Sequence, residues 1–291
     1  MIYLLLSITG NALLFIILKY FERFRIHTLQ AIVVNYFTAL ALGLLHNHSA
    51  SGIQDIFHLP GLWVAFMLGT LFIIIFLLLA KTAQEIGVSV ATVANKMSVV
   101  IPVCIAILFY HNSFGPLKIT GILLALVAVV LTSKKESSAA TGAIPARSLV
   151  LLPLVVFIGS GTIDALLNYS QEKLVARSDS SLFIATCFAV AAVIGLTTLL
   201  IRYFIRREKF EFKSLLGGIA LGIPNYYSTY YLLEALHSKT LESSVLYPLN
   251  NLGIVVVCAV SAYLLFREKL SAINLAGIFL SLVAIALIAF S

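Results

Sequence analysis

The stretches GILLALVAVVL (121–131) and GIFLSLVAIAL (277–287) decide how this chain is read. They align with their leading glycines in register, and neither carries a charge. Extended backwards, the register sets Asn95 opposite Asn251 and Tyr110 opposite Phe266. Near the start of each half, NALL (11–14) matches DALL (164–167), which sets Asn11 opposite Asp164. Apolar helices resemble one another by composition alone. Matches that keep the same order across both halves define an internal repeat.

Of the 291 residues 61% are hydrophobic and 11% charged, and the mean hydropathy is +1.06. A soluble domain carries about 25% charged residues, so this is an integral membrane protein with lipid as its solvent. A span needs about 20 apolar residues. Such runs lie near 2–19, 28–46, 61–81, 88–110, 115–132, 149–170, 180–204, 214–235, 240–264 and 270–290. The Ser/Ala/Pro-rich stretch SKKESSAATGAIPARS (133–148) falls between the fifth and sixth. The expected organisation is a five-helix repeat over 1–133, a cytoplasmic linker over 134–148 and a second repeat over 149–291. An odd number of spans turns the second copy over. The predicted fold is therefore all-α, ten transmembrane helices in two inverted repeats, an architecture of many secondary transporters.

The net charge of +7 does not point to nucleic acid, because the basic residues sit in short loops between spans. Fourteen of the 19 lysines and arginines follow odd-numbered spans, four follow even-numbered ones, and Lys96 lies within a span. That bias places the basic loops in the cytoplasm and both termini outside the cell membrane. The apolar N-terminus lacks a basic leader and a small-residue cleavage site, and reads as the first span. Cys104, Cys187 and Cys258 lie in apolar runs at unrelated spacing and read as core residues. HNHS (46–49) lacks partners at metal-ligand spacing, so no metal and no cofactor is expected. The sequence has no GxSxG, HExxH or Walker-type loop, and no catalytic residue is expected. The expected partners are a small-molecule substrate and membrane lipid.

Polar residues inside the spans carry the functional signal. At 1.5 Å per residue, Lys96 of TVANKMS (92–98) lies ~12 Å into span four. A lysine at that depth costs roughly 2.5–3.5 kcal/mol. Asn95, Asn250 and Asn251 reach a similar depth, as does Asn225 in span eight; each either joins helices or lines a cavity. In NYYSTYYLLE (225–234), Tyr226 and Tyr227 are too deep for an interfacial belt and their hydroxyls need partners. Tyr230, Tyr231 and Glu234 lie nearer the outer end. The expected substrate-binding set is Lys96, Asn95, Tyr226, Tyr227, Asn250, Asn251, Tyr247 and Asn225. Asp164 and Asn168 share a face of span six, and Asn11 is the mate of Asp164 in span one. They form the expected coupling or counter-ion set, with Asp164 read as a proton carrier, a static partner for Lys96 or a wet carboxylate.

Two further stretches carry a resemblance, LLFREKLSAINLAGIFLSLVAIALI (264–288) and YYLLEALHSKTLESSVLYPLNNLGIVVV (230–257). They are similar to the closing helices of the drug/metabolite transporter superfamily, in its EamA-type members, with a short acidic turn before a glycine-bearing last helix. In FYHNSFGPLKITG (109–121), Asn112 stands where the second half has Glu268, so only one copy keeps the acidic turn. The resemblance implies helices arranged around a central cavity near the midplane, lined by spans three, four, eight and nine with parts of one and six. It also implies alternating-access movement of a small polar metabolite. An amino-acid-like or otherwise anionic or zwitterionic compound is expected, with export as the direction. A flippase for a lipid-linked substrate would use the same fold, and a polytopic membrane enzyme is a more distant alternative.

Overall fold

A computed structural model describes residues 1–45, 61–110, 115–133, 146–175, 180–238, 243–268 and 270–289. Among them are eleven α-helices: α1 (Ile2–Arg23), α2 (Thr28–Leu45), α3 (Leu62–Glu85), α4 (Val88–Met97), α5 (Val100–Tyr110), α6 (Pro116–Ser133), α7 (Ala146–Lys173), α8 (Ser180–Arg206), α9 (Phe212–His237), α10 (Ser243–Phe266) and α11 (Ala272–Ala289). No strand occurs among the described residues. Seven segments are long and apolar enough to cross a bilayer, and α6 and α11 contain shorter apolar runs. α9 is as long as its neighbours, but Asn225 and its four tyrosines dilute its apolar character. Large side chains such as Phe204, Phe212, Tyr263 and Phe279 stand exposed on the outside. That is the surface of a multi-pass membrane protein, whose outer faces meet lipid.

The continuous fourth span expected over 88–110 is broken. α4 ends at Met97, Ser98 and Val99 form a turn, and α5 starts at Val100. Pro102 is the cause: it has no N–H to return to Ser98 O, and its ring crowds that carbonyl. Ile101 N–H takes the Ser98 carbonyl instead, at 2.9 Å. In the repeat register the position of Pro102 is held by Cys258, and α10 runs unbroken from Ser243 to Phe266. The other expected difference is minor: α7 begins at Ala146, inside the stretch read as linker, whose residues 134–145 lie outside the described ones.

Several helix pairs pack in a pattern that repeats between the two halves. If α1, α2, α3, the α4–α5 pair and α6 are exchanged for α7, α8, α9, α10 and α11, several packed pairs map onto packed pairs. α2 on α9 corresponds to α8 on α3, α1 on α9 to α7 on α3, and α1 on α10 to α7 on α4; α6 on α11 maps onto itself. Small residues permit these approaches, as expected where lipid provides no hydrophobic drive between helices. A Cβ at Gly218 or Gly222 of α9 would collide with Val34 or Thr38 of α2. Gly121 of α6 abuts Ile288 of α11, and its mate Gly277 of α11 abuts Thr132 of α6.

One end of the bundle gathers the basic residues and is tied across helices. Lys19 Nζ donates to Gln84 O of α3, and Gln30 Nε2 donates to Lys209 O at 3.0 Å. Arg202 and His27 approach Glu208 at 3.6 and 3.8 Å. Such exposed pairs add little stability individually, about 0–1 kcal/mol. Their value here is geometric: the ends of α1, α3 and α8 and the start of α9 share one side.

Candidate functional site

The break after Lys96 sits where α4 meets α1, α7 and α10. Val93, Met97 and Val100 are buried there with Phe157, Val255 and Ile278, so the polar groups lie inside an apolar wall. Lys96 Nζ donates to Asn11 Oδ1 of α1 at 3.2 Å. Asn95 Nδ2 donates to Ser160 Oγ of α7 at 2.9 Å. Ser98, in the break, donates to Asn95 O and stands 3.3 Å from Asp164 Oδ2 of α7. Asn11 and Asp164, the mates read from the sequence, thus converge on one turn of α4 from opposite halves.

The charges are arranged unequally. The ion pairs Lys19–Glu22, His27–Glu208, Lys81–Glu85 and Arg202–Glu208 lie at the basic end, and none includes Lys96 or Asp164. Lys96 and Asp164 nonetheless feel each other's charge, and Lys96 also feels Cys258 of α10. Cys258 lies near Thr92, one turn before Lys96 on α4, and the Thr92 hydroxyl donates to Val88 O at 2.8 Å. Lys96 therefore has one neutral amide partner at hydrogen-bond distance and its counter-charge farther off. A lysine whose only task is structural needs its anion in contact, since an unpaired buried charge is strongly destabilising.

The remaining expected residues are spread over several places. Asn225 Nδ2 donates to Asn35 Oδ1 of α2 at 3.2 Å and so joins α9 to α2. Asn250 on α10 is buried, and its Oδ1 has no partner among the described residues. Asn251 is half-buried beside it, while Asn168 of α7 is exposed. Tyr227 and Tyr231, with Leu6, Gly10 and Leu13 of α1 and Pro224, line a groove of about 380 Å³ between α1 and α9. Tyr3 of α1 stacks on Tyr231, and Tyr231 on Tyr227, at centroid separations of 6.3 and 5.7 Å. Tyr226 turns to the adjacent face, where its ring lies 3.6 Å from the position a Cβ on Gly43 of α2 would take. Tyr247 belongs to α10, and its side chain lies outside the described ones.

Three residues escaped the sequence reading. Ser160 and Ser98 are too common in spans to stand out, and only the three-dimensional pairing with Asn95 and Asp164 marks them. Asn35 was legible: it interrupts the apolar run AIVVNYFTAL (31–40), is fully buried, and leaves its Nδ2 unpartnered.

Comparison with known proteins finds two similarities. Residues 1–134 match the EamA-like transporter family, part of the drug/metabolite transporter superfamily. A protein of Haemophilus influenzae described as uncharacterized is 26% identical over 288 residues, covering 97% of this chain and 95% of its own length. The first half of this multi-pass membrane protein therefore resembles a transporter family, and the relative matches both halves.

Proposed function

We propose that the protein is a secondary transporter that moves a small anionic or zwitterionic metabolite, amino-acid-like in its charges, out across the cell membrane by alternating access. Ten spans in two inverted five-helix repeats, 1–133 and 149–291, build it; the basic loops face the cytoplasm and both termini lie outside. The reciprocal packing of mated helices supports that count, with α4 and α5 forming one broken span. Broken helices at mid-depth are where transporters bind their cargo. The observation that carries the reading is Lys96, held by a neutral amide at 3.2 Å with its counter-charge beyond contact. Such an ammonium has capacity left for a carboxylate or phosphate of the substrate. Asp164 then serves as the resting counter-ion or as a carrier of coupled protons, and Asn95 orients the turn.

Counterflow in proteoliposomes tests it. Vesicles preloaded with pooled anionic or zwitterionic metabolites should take up the matching labelled compound saturably, and Lys96→Met should abolish uptake. A second reading, movement of a lipid-linked substrate, draws on the groove between α1 and α9, whose Leu6 and Leu13 walls are exposed on the membrane side. Absence of saturable counterflow together with accelerated movement of a labelled lipid between leaflets would select that reading instead.

A further inference from the structure

The turn between α10 and α11 carries a carboxylate that the site around Lys96 does not use. Arg267 closes α10 in the left-handed region at φ 51°, and Glu268 N–H donates to Ala262 O at 3.0 Å. The bond reaches six residues back, one residue farther than in a Schellman ending. It delivers the Glu268 side chain to the start of α4 in the other half. There Val88 N–H donates to Oε1 at 2.8 Å, and the Ser89 hydroxyl lies 3.4 Å from Oε2. Gly87 makes room: its φ is 149°, and a Cβ on it would stand 2.9 Å from Oε2. The free amides that every helix exposes at its first turn are thus capped from 180 residues away.

A neutral side chain would cap these amides as well. Burial pushes the Glu268 carboxyl up, and the Val88 N–H and the Lys19 ammonium of α1 pull it down. Cys258 of α10 is the other ionisable group that faces it. In the repeat register the other half offers an uncharged residue, Asn112, which lies outside the described residues. The charge is therefore specific to one end of the molecule, the basic end. The helix it caps is also special. α4 is ten residues long, detached from α5 by the break, and carries both Asn95 and Lys96.

We propose that Glu268 is a gating and positioning residue whose carboxylate holds α4 shut against the second half at the basic end, and whose release opens the site to that side. This rests on the transporter reading above. A short helix with a break behind it pivots as a unit, and a single charge-assisted cap is a tether that thermal motion can release.

Accessibility tests the latch without a known substrate. With Cys104, Cys187 and Cys258 replaced by alanine, Thr92→Cys reports on a fully buried position one turn beyond the latch. A membrane-impermeant maleimide is applied to vesicles of each orientation. Glu268→Ala should speed labelling from the basic end by at least about tenfold, the lower bound for one hydrogen bond to a charged acceptor. Glu268→Gln, which keeps an acceptor oxygen, should fall between, and it stands in for Glu268→Ala if that variant does not fold. Hydrogen exchange over residues 87–91 should rise in parallel. Faster exchange there with unchanged labelling would reduce Glu268 to a local cap and overturn the proposal. Faster labelling without exchange of any solute would uphold the latch and remove the transporter reading; solute exchange with unchanged labelling would do the reverse.

Discussion

Lys96→Met separates a binding lysine from a structural one. The substitution removes the ammonium and keeps most of the apolar stem. Three effects decide its consequence for stability. Relief from holding a charge at mid-depth is favourable by roughly 2.5–3.5 kcal/mol. Loss of the Asn11 bond costs about 1.5–3 kcal/mol, the range for a hydrogen bond to a charged group. Asp164 keeps its contact with Ser98, and it was not in ion-pair contact with Lys96, so its added cost is modest. The first two terms nearly cancel, and the unfolding midpoint should move by less than about 5 °C. Ligand-induced stabilisation should respond differently. A substrate at 100 times its Kd adds about 2.7 kcal/mol to wild type, a rise of roughly 5–10 °C. In Lys96→Met that rise should vanish for anionic and zwitterionic compounds. The assay is a thermal-shift screen of both proteins in detergent against metabolites sorted by charge. If the variant is stabilised by the same compounds to the same extent, the ammonium does not contact the substrate and the reasoning fails.

Other consequences are simpler to state. Cysteines at 140 and 48, both outside the described residues, should label from opposite sides in intact cells, 140 only from the cytoplasm; external labelling of 140 reverses the orientation. Gly218→Leu should drive α9 away from α2 and cost more than about 3 kcal/mol through overpacking, read as loss of monodisperse protein; wild-type yield and midpoint would contradict the packing described. Asn225→Ala breaks a bond between helices, worth about 0.6 kcal/mol on average in membranes. It should leave ligand shifts intact, whereas Asn95→Ala should weaken them severalfold; equal effects of the two would deny that their locations differ in role.

Much of the fold was legible because lipid imposes strict conditions on sequence. Each span must be apolar over its length, so helices and linkers separate by inspection. The convergence of Asn11 and Asp164 on Lys96 was likewise half-visible, since the register named them as mates. The break in span four was not read, although Pro102 was in plain view, because proline inside a membrane helix is often accommodated without a break. The facing of the tyrosines was not legible for another reason. Depth along a helix follows from residue number, but facing does not, and Tyr227 turned toward α1 while Tyr226 turned toward α2. Asn225 reads as glue or as lining on sequence grounds, and the structure adds its bond to Asn35.

The break gives the site a polarity that a continuous helix would lack. Lys96 lies in the last turn of α4, where unpaired carbonyl dipoles favour a cation. Asp164 reaches Ser98 at the entry to α5, where amide dipoles favour an anion. One proline thus creates two helix ends of opposite sign inside the bundle, and each charged side chain stands at the end that stabilises it. The mated helix α10 has Cys258 in place of that proline and no such ends, which makes the two halves unlike at the point where they meet. A symmetric pair of unbroken helices would offer a substrate the same field from both sides. In the proposed transport role, a cargo with a negative group would be drawn to Lys96 of α4, and one with a positive group to Asp164 of α7. A zwitterion satisfies both at once, and so Pro102→Ala, by mending the helix, should weaken its binding more than that of a simple anion. Thermal-shift titration of an amino acid against its deaminated carboxylate measures that difference, and equal losses for the two would show that the helix ends take no part in recognition.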